Sequence, residues 1–293
     1  MKTFFIGLRD LSLALLPVMF MASAAFAAEA EAPVVWNHVL KSNIGPSFWG
    51  HAAPEYATCG TKVSDSFVEV GMRQTPIDID TKAAVKTNLA ALTFQYQDAP
   101  LVVTNTGHVV EVEYPAGSTI RLGQFSSSGP INWSQPTDEF QLVQFHFHAP
   151  SEHTIDGKRA DMELHLVHRN QLGDLAVVGV LMNISSDFNF LVDSIMNLAP
   201  LTVGEKGLPG VNFNAFRLLP ENRSYYMYTG SLTTPPCSEG VRWFLMRNPV
   251  NVSATAVRQM HFVVSNFPGY EGYADNNRPI VPSHSRTVVV DRQ

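Results

Sequence analysis

Three histidines in this sequence have the residue type and the spacing of a metal site. His146 and His148 lie one residue apart in the run Gln-Phe-His-Phe-His, and His165 follows seventeen positions after the second. Residues two apart on a β-strand point to the same face, and the apolar neighbours of these histidines are typical of strands. A neighbouring strand that carries His165 would bring three imidazole nitrogens together. Three protein nitrogens leave one position of a tetrahedral Zn²⁺ open, as in catalytic zinc sites.

Two polar residues are placed to hold these rings, because a metal-bound imidazole needs an acceptor at its second nitrogen. Gln144 lies two residues before His146, and Glu163 lies two residues before His165. His168 is displaced from His165 by an odd number of residues, so it should face the other side of the strand. On these residues alone one alternative stays open: ordinary sheet histidines satisfied by hydrogen bonds, with Gln144 and Glu163 facing solvent.

The elements that would position these residues are mostly strands. Runs rich in β-branched and aromatic residues, bounded by turn residues, predict strands at 89–96, 101–105, 109–114, 119–125, 139–149, 161–169, 175–183, 224–228 and 241–246. Apolar spacing predicts short helices at 188–196 and 253–265, the second with Ser253 as N-cap. The segments 34–59 and 268 onward are predicted to be irregular. The pattern indicates a mainly β (α+β) fold with a mostly antiparallel sheet and short peripheral helices.

The first 27 residues have the features of a secretory signal peptide. Lys2 and Arg9 precede an apolar stretch at 11–20, and Ala25-Phe26-Ala27 is a small-x-small cleavage pattern. An uncleaved membrane anchor is the alternative, but Pro17 and the alanine-rich end favour cleavage. The sequence therefore predicts a signal peptide at 1–27, a single domain at 28–293, and export to the periplasm, with secretion as the alternative.

The composition of the chain after cleavage limits the kinds of partner that we expect the protein to bind. Cleavage would leave 266 residues and change the formal net charge from −6 to −7. A chain of this length can form one large domain, and it contains no internal repeat or Pro/Gly-rich linker that would divide it. The acidic balance and the absence of a basic stripe argue against nucleic acid as a partner. We expect no membrane association after cleavage, and a monomer or homodimer.

The two cysteines, Cys59 and Cys237, favour a single disulfide in an oxidising compartment. Such a bridge would close a loop of nearly the whole domain and restrict the unfolded chain by about 4 to 5 kcal/mol in the chain-entropy model. Two buried free thiols are the alternative.

Four ordered motifs carry a resemblance to a known family. They are Gln144-Phe145-His146-Phe147-His148, Ser151-Glu152-His153-Thr154, Glu163-Leu164-His165-Leu166-Val167-His168 and Tyr228-Thr229-Gly230-Ser231-Leu232-Thr233-Thr234-Pro235-Pro236. Together with Arg73-Gln74-Thr75-Pro76-Ile77-Asp78-Ile79 and Asn105-Thr106-Gly107-His108, they resemble the α-class carbonic anhydrases from about residue 49 to residue 286. The resemblance implies a large twisted central sheet with zinc at the foot of a conical cleft. It also implies a lyase that hydrates CO₂ reversibly to bicarbonate and a proton through zinc-bound hydroxide.

The resemblance also implies roles for individual residues. His146, His148 and His165 would be the zinc ligands, Thr233 and Glu152 would orient the nucleophile, and His108 would be the proton shuttle. His153 and Tyr228 would support the site structurally, and Thr234 would hydrogen-bond bicarbonate or solvent. An apolar wall for CO₂ would consist of Val167, Val177, Leu232, Val241 and Trp243. Pro76 and Pro236 are the candidates for cis peptide bonds.

Some positions differ from the common pattern of that family. His51 stands where a tyrosine is usual, Thr106 where asparagine is frequent, and Glu111 where a neutral polar residue is common. These changes bear on proton transfer, and His51 is a candidate second shuttle.

Two other classes of protein share part of this pattern. His146-x-His148 with Glu152 four residues on is similar to a cupin metal signature, although its glycine and proline positions are missing. A non-catalytic binding module on the same fold is the other, and the retention of all three histidines counts against it.

Overall fold

The structure is a computed structural model, and it describes residues 35–60, 71–122 and 139–292. The predicted signal peptide at 1–27 lies outside the described residues, as does the end of the strand predicted at 119–125. Within the described ranges, no helix is both long and apolar enough to cross a bilayer.

Strands dominate the described chain. Their bounds are β1 Asp78–Ile79, β2 Val85–Thr87, β3 Leu92–Gln95, β4 Ala99–Asn105, β5 Val110–Glu113, β6 Thr119–Leu122, β7 Glu139–His148, β8 Thr154–Ile155, β9 Lys158–Arg159, β10 Met162–Arg169, β11 Leu175–Ile184, β12 Gly204–Phe213, β13 Tyr225–Ser231, β14 Glu239–Met246, β15 Val250–Val252 and β16 Val289–Asp291. The helices are α1 Trp49–Ala52, α2 Phe190–Leu198 and α3 Ala254–Val264, with 3₁₀ turns at Pro54–Cys59 and Ala215–Leu218.

A large sheet forms the centre of the described chain. Its main path runs β12-β4-β5-β7-β10-β11-β14-β13-β16-β2, with β15 beside β11, and β3 joined through β6 to β7. Most neighbours are antiparallel, whereas β11–β14, β11–β15 and β16–β2 are parallel. The predicted fold class, a mainly β domain with a mostly antiparallel sheet and short peripheral helices, is confirmed.

The central strands are buried on both faces. In β10 every residue except Val167 and Arg169 is buried, so the strand lacks the simple inward and outward alternation of a surface sheet. His168 lies on the face opposite His165, as predicted, and its Nε2 is 2.7 Å from the hydroxyl of Tyr96. Two apolar clusters therefore sandwich this part of the sheet, and the metal-site candidates belong to one side of it.

The helices begin where side chains cap them. Ser253 accepts a hydrogen bond from the backbone N–H of Ala256, which confirms the predicted N-cap of α3. In α2 the cap is Asn189, which accepts from Leu191, so the helix starts at Phe190, two residues later than predicted. The segment predicted to be irregular at 34–59 contains α1 and a 3₁₀ turn, and the exposed edge strand β12 was not predicted.

A disulfide joins Cys59 to Cys237, with 5.0 Å between the Cα atoms and 178 residues between the partners in sequence. The predicted pairing of the two cysteines is confirmed. The peptide bonds before Pro76 and Pro236 are cis, as predicted, and the bond before Pro150 is also cis, which was not predicted. The bridge therefore attaches the N-terminal 3₁₀ turn to the loop that follows Thr233.

Replacing His168 with phenylalanine should reduce the loss of stability in acid. Burial lowers the pKa of His168 to about 3, so the native protein keeps the ring neutral while the unfolded chain takes up a proton below pH 6.5. The wild type should therefore lose about 1.4 kcal/mol per pH unit more than the variant between pH 6.5 and 4. Urea unfolding across this range measures the difference, and equal slopes would contradict it.

Candidate metal centre

Pairing of β7 with β10 brings the three predicted histidines together. His165 lies directly opposite His146 in the antiparallel register, and Glu163 lies opposite His148. His148 is two residues beyond His146, so all three side chains share one face. The ring centroids of His146 and His148 are 5.1 Å apart, those of His146 and His165 are 5.2 Å apart, and those of His148 and His165 are 4.7 Å apart.

Gln144 holds the ring of His146, as predicted. The distance between His146 Nδ1 and Gln144 Oε1 is 2.8 Å. A side-chain amide oxygen only accepts, so Nδ1 carries the hydrogen and Nε2 presents its lone pair to the other histidines. Gln144 lies two residues before His146 on the same face of β7, and this spacing explains the contact.

His148 is fixed by the backbone of the C-terminal segment. Its Nδ1 lies 2.8 Å from the carbonyl oxygen of Asn276, so Nδ1 is the donor. The Nε2 atom is buried and has no hydrogen-bond partner among the described residues. Asn276 was not predicted. Its side chain also accepts from Ala149 N–H and donates to the carbonyl of Phe147, which locks the end of β7.

Glu163 is the centre of a buried hydrogen-bond network, as its position before His165 predicted. Its Oε1 lies 2.8 Å from His165 Nε2 and 2.6 Å from His153 Nδ1. Its Oε2 accepts from the backbone N–H groups of Glu152 and His153, each at 2.8 Å. The Tyr228 hydroxyl is 2.6 Å from His153 Nε2, which extends the network to β13. His165 therefore donates through Nε2 and presents the lone pair of Nδ1.

Burial raises the pKa of a carboxylate, but at Glu163 the neighbouring His153 and His165, with their hydrogen bonds, outweigh burial. They hold the pKa of Glu163 well below its ordinary value. A stably ionised acceptor at this position fixes the orientation of His165 and raises its basicity as a ligand.

The three free nitrogens fit a tetrahedral cation. His165 Nδ1 and His146 Nε2 are 3.3 Å apart. With their other nitrogens donating, these two atoms are both lone-pair acceptors and cannot hydrogen-bond to each other. Two ligands about 2.0 Å from one zinc at the tetrahedral angle are separated by about 3.3 Å, the observed spacing. The unpartnered Nε2 of His148 completes a set of three neutral nitrogen donors, the chemistry that zinc prefers.

The electrostatics keep these rings neutral. Burial, with smaller contributions from the neighbouring histidines, lowers the pKa of His146 well below its ordinary value. Burial lowers the pKa of His148 to about 4. A metal ligand must be the neutral imidazole, so the site is prepared for a cation at neutral pH without first losing protons.

Replacing Glu163 with glutamine is expected to weaken zinc binding by about 10- to 100-fold, the usual effect of removing a ligand's hydrogen-bond partner. The neutral amide cannot accept from His165, His153 and two backbone N–H groups as the carboxylate does. Competition with a chromophoric chelator measures the affinity. Asp161→Asn is the matched control and should leave zinc affinity unchanged, since among the described residues Asp161 accepts only from the Ile184 N–H. Equal affinities of the two variants would refute the assigned role.

Glu152 and Thr233 lie beside the three rings. Burial raises the pKa of Glu152 to about 7, and the effect is opposed by His165, by the backbone N–H of Arg278 and by a hydrogen bond from Thr233. The Arg278 N–H donates to Glu152 Oε1 at 2.7 Å. Arg278 was not predicted, and its guanidinium group also binds the carbonyls of Thr75 and Cys59. The structure thus brings the predicted pair Thr233 and Glu152 together.

The loop after Thr233 is held at several points. Cys237 N–H donates to the carbonyl of Thr234 at 2.9 Å, and the Thr58 hydroxyl donates to the carbonyl of Pro236 at 2.8 Å. The Gln74 amide donates to the carbonyl of Cys237 at 3.0 Å. With the disulfide, these contacts fix the backbone that presents Thr233. Thr234 is half-buried in the same loop, and its contact with bicarbonate stays a prediction.

The five residues of the predicted apolar wall belong to one cluster. Val167 pairs with Val177 across β10 and β11, and Val177 pairs with Trp243 across β11 and β14. Trp243 also lies edge-on to His165, with 4.9 Å between the ring centroids. Val177, Val241 and Trp243 are buried in this cluster, and Val167 and Leu232 pack against it, so an apolar surface adjoins the candidate metal site.

His108 stacks on Trp36, with 3.8 Å between the ring centroids and an interplanar angle of 10°. Burial lowers the pKa of His108 from its ordinary value of 6.5 to about 4. Its role as proton shuttle stays a prediction. His51 is exposed in α1, and its role as a second shuttle also stays a hypothesis.

Comparison with known proteins agrees with this geometry. The family model for eukaryotic-type carbonic anhydrase matches residues 45–292. A carbonic anhydrase of Nostoc sp. is 33% identical over 286 residues, covering 96% of this chain and 95% of that protein. A carbonic anhydrase of Klebsiella pneumoniae is 34% identical, covering 94% and 96%.

A solved structure is similar as well. The α-carbonic anhydrase of Thermovibrio ammonificans in complex with the inhibitor sulfanilamide superimposes with a TM-score of 0.74 at 35% identity, covering 88% of this chain and 100% of that one. The family-model match over residues 45–292 includes the strands that carry the three histidines and the loop that carries Thr233. On its sequence, its fold and its cluster of three imidazoles, the chain belongs to the eukaryotic-type, or α, carbonic anhydrase family.

Proposed function

We propose that this protein is a zinc enzyme that catalyses the reversible hydration of CO₂ to bicarbonate and a proton. The observation that supports it most is the convergence of three lone pairs, on His146 Nε2, His148 Nε2 and His165 Nδ1, with each tautomer fixed by a separate acceptor. When bound there, zinc lowers the pKa of a coordinated water to about 7, an effect for which carbonic anhydrase is itself the standard example.

Thr233 and Glu152 would orient the attacking oxygen. In its ionised form Glu152 only accepts hydrogen bonds, so the Thr233 hydroxyl would donate its hydrogen to that carboxylate. The Thr233 oxygen is then available only as an acceptor, and the attacking group must donate to it. This directs a lone pair of the nucleophile toward the substrate and reduces the orientational cost of the reaction.

The apolar cluster at Val177, Val241 and Trp243 would hold CO₂. The substrate has no hydrogen to donate and is a weak acceptor, so an apolar wall beside the metal binds it without ordering water. Thr234, in the adjoining loop, would donate to the bicarbonate oxygen as charge develops there. Release of bicarbonate then returns water to the site.

His108 would carry the product proton to the solvent. Replacing it with alanine should lower kcat about tenfold at low buffer concentration, less than the usual range for proton-transfer groups because solvent buffer partly substitutes. Imidazole in the buffer should restore the rate, and kcat/KM should be unchanged because it reports the hydration step. Stopped-flow CO₂ hydration at several buffer concentrations tests this, and an unaltered kcat without added buffer would show that another group accepts the proton.

The decisive experiment combines metal analysis with stopped-flow CO₂ hydration, with and without a chelator. One zinc per chain with chelator-sensitive activity supports the proposal. A different bound metal without CO₂ hydration would indicate a cupin-like chemistry, in which Glu152 would ligate the metal. Absence of bound metal and of activity would indicate a binding module on the carbonic anhydrase fold.

The location and assembly of the protein are part of the same proposal. The disulfide is consistent with export, and the apolar N-terminal segment supports cleavage after residue 27 and a periplasmic or secreted mature protein. The partner is the small-molecule substrate pair CO₂ and bicarbonate, and the enzyme would act as a monomer or homodimer. Mass spectrometry of the exported protein tests the cleavage site, and light scattering measures the oligomeric state.

A further inference from the structure

Glu111 is an acidic residue on β5 that the proposed mechanism does not use. In the register between β5 and β7 it lies directly opposite His146, a candidate metal ligand. Residues that pair in this way project to the same side of the sheet, with Cβ atoms about 5 Å apart. The common pattern of the family has a neutral polar residue at this position, whereas this chain has glutamate. Glu111 therefore adds a charge beside the metal site.

One row of cross-strand neighbours sets the distances from this carboxylate. The row runs from β12 to β10 through the pairs Glu205–Thr104, Thr104–Glu111, Glu111–His146 and His146–His165. Adjacent strands are about 4.8 Å apart, so Glu111 is one strand from His146, whereas Glu205 is three strands, or about 14 Å, away. The same row thus contains one acid close to the metal site and one acid remote from it.

No described side chain supplies a positive charge that compensates Glu111. The half-buried carboxylate receives no hydrogen bond from a described residue, and the charged group that acts on it is a second acid, Glu113. Strands β4, β5 and β7 contain no lysine or arginine. Burial and the charge of Glu113 both raise the pKa of Glu111, as expected for an acid without a cationic partner. A partly hydrated carboxylate beside a bound dication is nevertheless ionised at neutral pH.

The two sides of the candidate metal site therefore differ in polarity. The apolar cluster with Val177 and Trp243 lies on the side of β11 and β14, and Glu111 lies on the side of β5. An ionised carboxylate interacts only weakly with a neutral molecule, but it repels an anion that approaches the metal. Because CO₂ is neutral and bicarbonate is an anion, this charge acts on the product and hardly at all on the substrate.

We propose that Glu111 is a specificity-determining residue whose carboxylate weakens the binding of small anions, including bicarbonate, at the metal site. This inference rests on the proposed function. Glu111 touches no reacting atom, and its effect is repulsion through space. Between two unit charges one side chain apart in a partly hydrated site, such repulsion changes a dissociation constant about fivefold. The charge favours release of the product and protects the site from other anions of the same size.

Anion binding can be measured without any assay of activity. Cobalt(II) binds nitrogen sites of the kind that zinc prefers, and its visible spectrum changes when an anion binds, so titration with thiocyanate gives a dissociation constant. At about pH 6.5 the metal-bound water is largely protonated, and hydroxide does not compete. Glu111→Gln should bind thiocyanate about fivefold more tightly than the wild type. Glu111→Asp, which keeps the charge, should resemble the wild type.

Two controls separate a local charge from other effects. Glu205→Gln makes the same change in net charge about 14 Å from His146, beyond the screening length at about 0.1 M salt, and should leave thiocyanate affinity and CO₂ hydration unchanged. Sodium sulfate at an ionic strength of about 1 M should reduce the difference between Glu111→Gln and the wild type to about twofold or less, since the screening length falls to about 3 Å. A difference caused by side-chain shape would persist in salt.

The product provides a kinetic test at constant ionic strength. Bicarbonate added to the CO₂ hydration assay should inhibit Glu111→Gln at a concentration about fivefold lower than it inhibits the wild type. Glu205→Gln and Glu111→Asp should be inhibited at the wild-type concentration. Unaltered inhibition of Glu111→Gln by bicarbonate would contradict the proposed role.

The outcomes separate this inference from the proposed function. A wild type that binds neither zinc nor cobalt contradicts the proposed function and this inference together. If the wild type binds metal and hydrates CO₂ but Glu111→Gln has wild-type affinity for thiocyanate, this inference alone fails. It also fails if Glu205→Gln tightens thiocyanate binding as much as Glu111→Gln does, or if Glu111→Asp behaves like Glu111→Gln.

Discussion

Replacing His148 with alanine is expected to abolish stoichiometric zinc binding and to lower CO₂ hydration on the order of a thousandfold or more, because supply of the nucleophile at neutral pH depends on the ligated metal. His148 is fully buried and supplies one of three nitrogens, so two ligands remain. Two imidazoles do not hold zinc in a tetrahedral catalytic site. Atomic emission after dialysis and stopped-flow CO₂ hydration measure the two losses.

His261→Ala is the matched control for this experiment. The Nδ1 of His261 also lies 2.8 Å from a backbone carbonyl, that of Ala274, but the residue is in α3 and outside the cluster of three rings. Its zinc content and activity should equal those of the wild type. Circular dichroism of both variants confirms that the sheet is intact. Full zinc occupancy in a folded His148→Ala protein would show that the ligand set is wrong.

Removing the hydroxyl of Thr233 is expected to lower kcat/KM for CO₂ about 100-fold while zinc content stays at one per chain, since a misdirected nucleophile costs about this much. Thr233→Val keeps the shape of the side chain and loses only the hydrogen bond to Glu152. Thr233→Ser keeps the hydroxyl and should recover most of the rate. Comparing these two variants separates the effect of the hydrogen bond from the effect of side-chain packing.

Thr234→Val provides the second comparison, because Thr234 is the adjacent residue in the same loop. It is expected to act on bicarbonate more than on the nucleophile, so its effect on CO₂ hydration should be smaller. Metal analysis of every variant is essential, since loss of zinc would imitate loss of orientation. A zinc-loaded Thr233→Val protein with wild-type kcat/KM would eliminate the orienting role.

The sequence alone predicted those contacts of the metal site that join residues close together in the chain. Alternation along a strand placed His146 and His148 on one face, and the same i−2 rule placed Gln144 and Glu163 beside the rings they hold. Ser253 at the start of α3 was recognisable as a cap for the same local reason. The register that sets His165 opposite His146 depends on pairing between distant strands, which local pattern does not determine.

The unpredicted site residues come from segments without periodicity. Asn276 and Arg278 lie in the C-terminal segment predicted to be irregular, and each reaches residues more than 120 positions away. Their backbone atoms make the decisive contacts, so residue type gave no signal. Burial lowers the pKa of His108, and the ring stacks on Trp36, which lies in a segment distant in sequence.

The exposed edge strand β12 escaped prediction for a different reason. Its residues include Gly204, Gly207, Pro209 and Gly210, which are depleted in strands, and nearly the whole strand is exposed. It is a strand because β4 offers it a pairing edge. Pairing with β4 therefore outweighs the low strand preference of these residues.

The bridge between Cys59 and Cys237 has a consequence for how the molecule matures. The loop carrying Thr233 is tied to a segment that is synthesised 178 residues earlier, so the final geometry of that loop depends on an oxidant as well as on the sequence. Molecules made in the cytosol of an ordinary expression host, where thiols are kept reduced, will have the sheet and the three imidazoles but an untethered catalytic loop. A thiol titration of each batch therefore belongs beside its zinc content, because two preparations with equal metal can differ in rate through this bond alone.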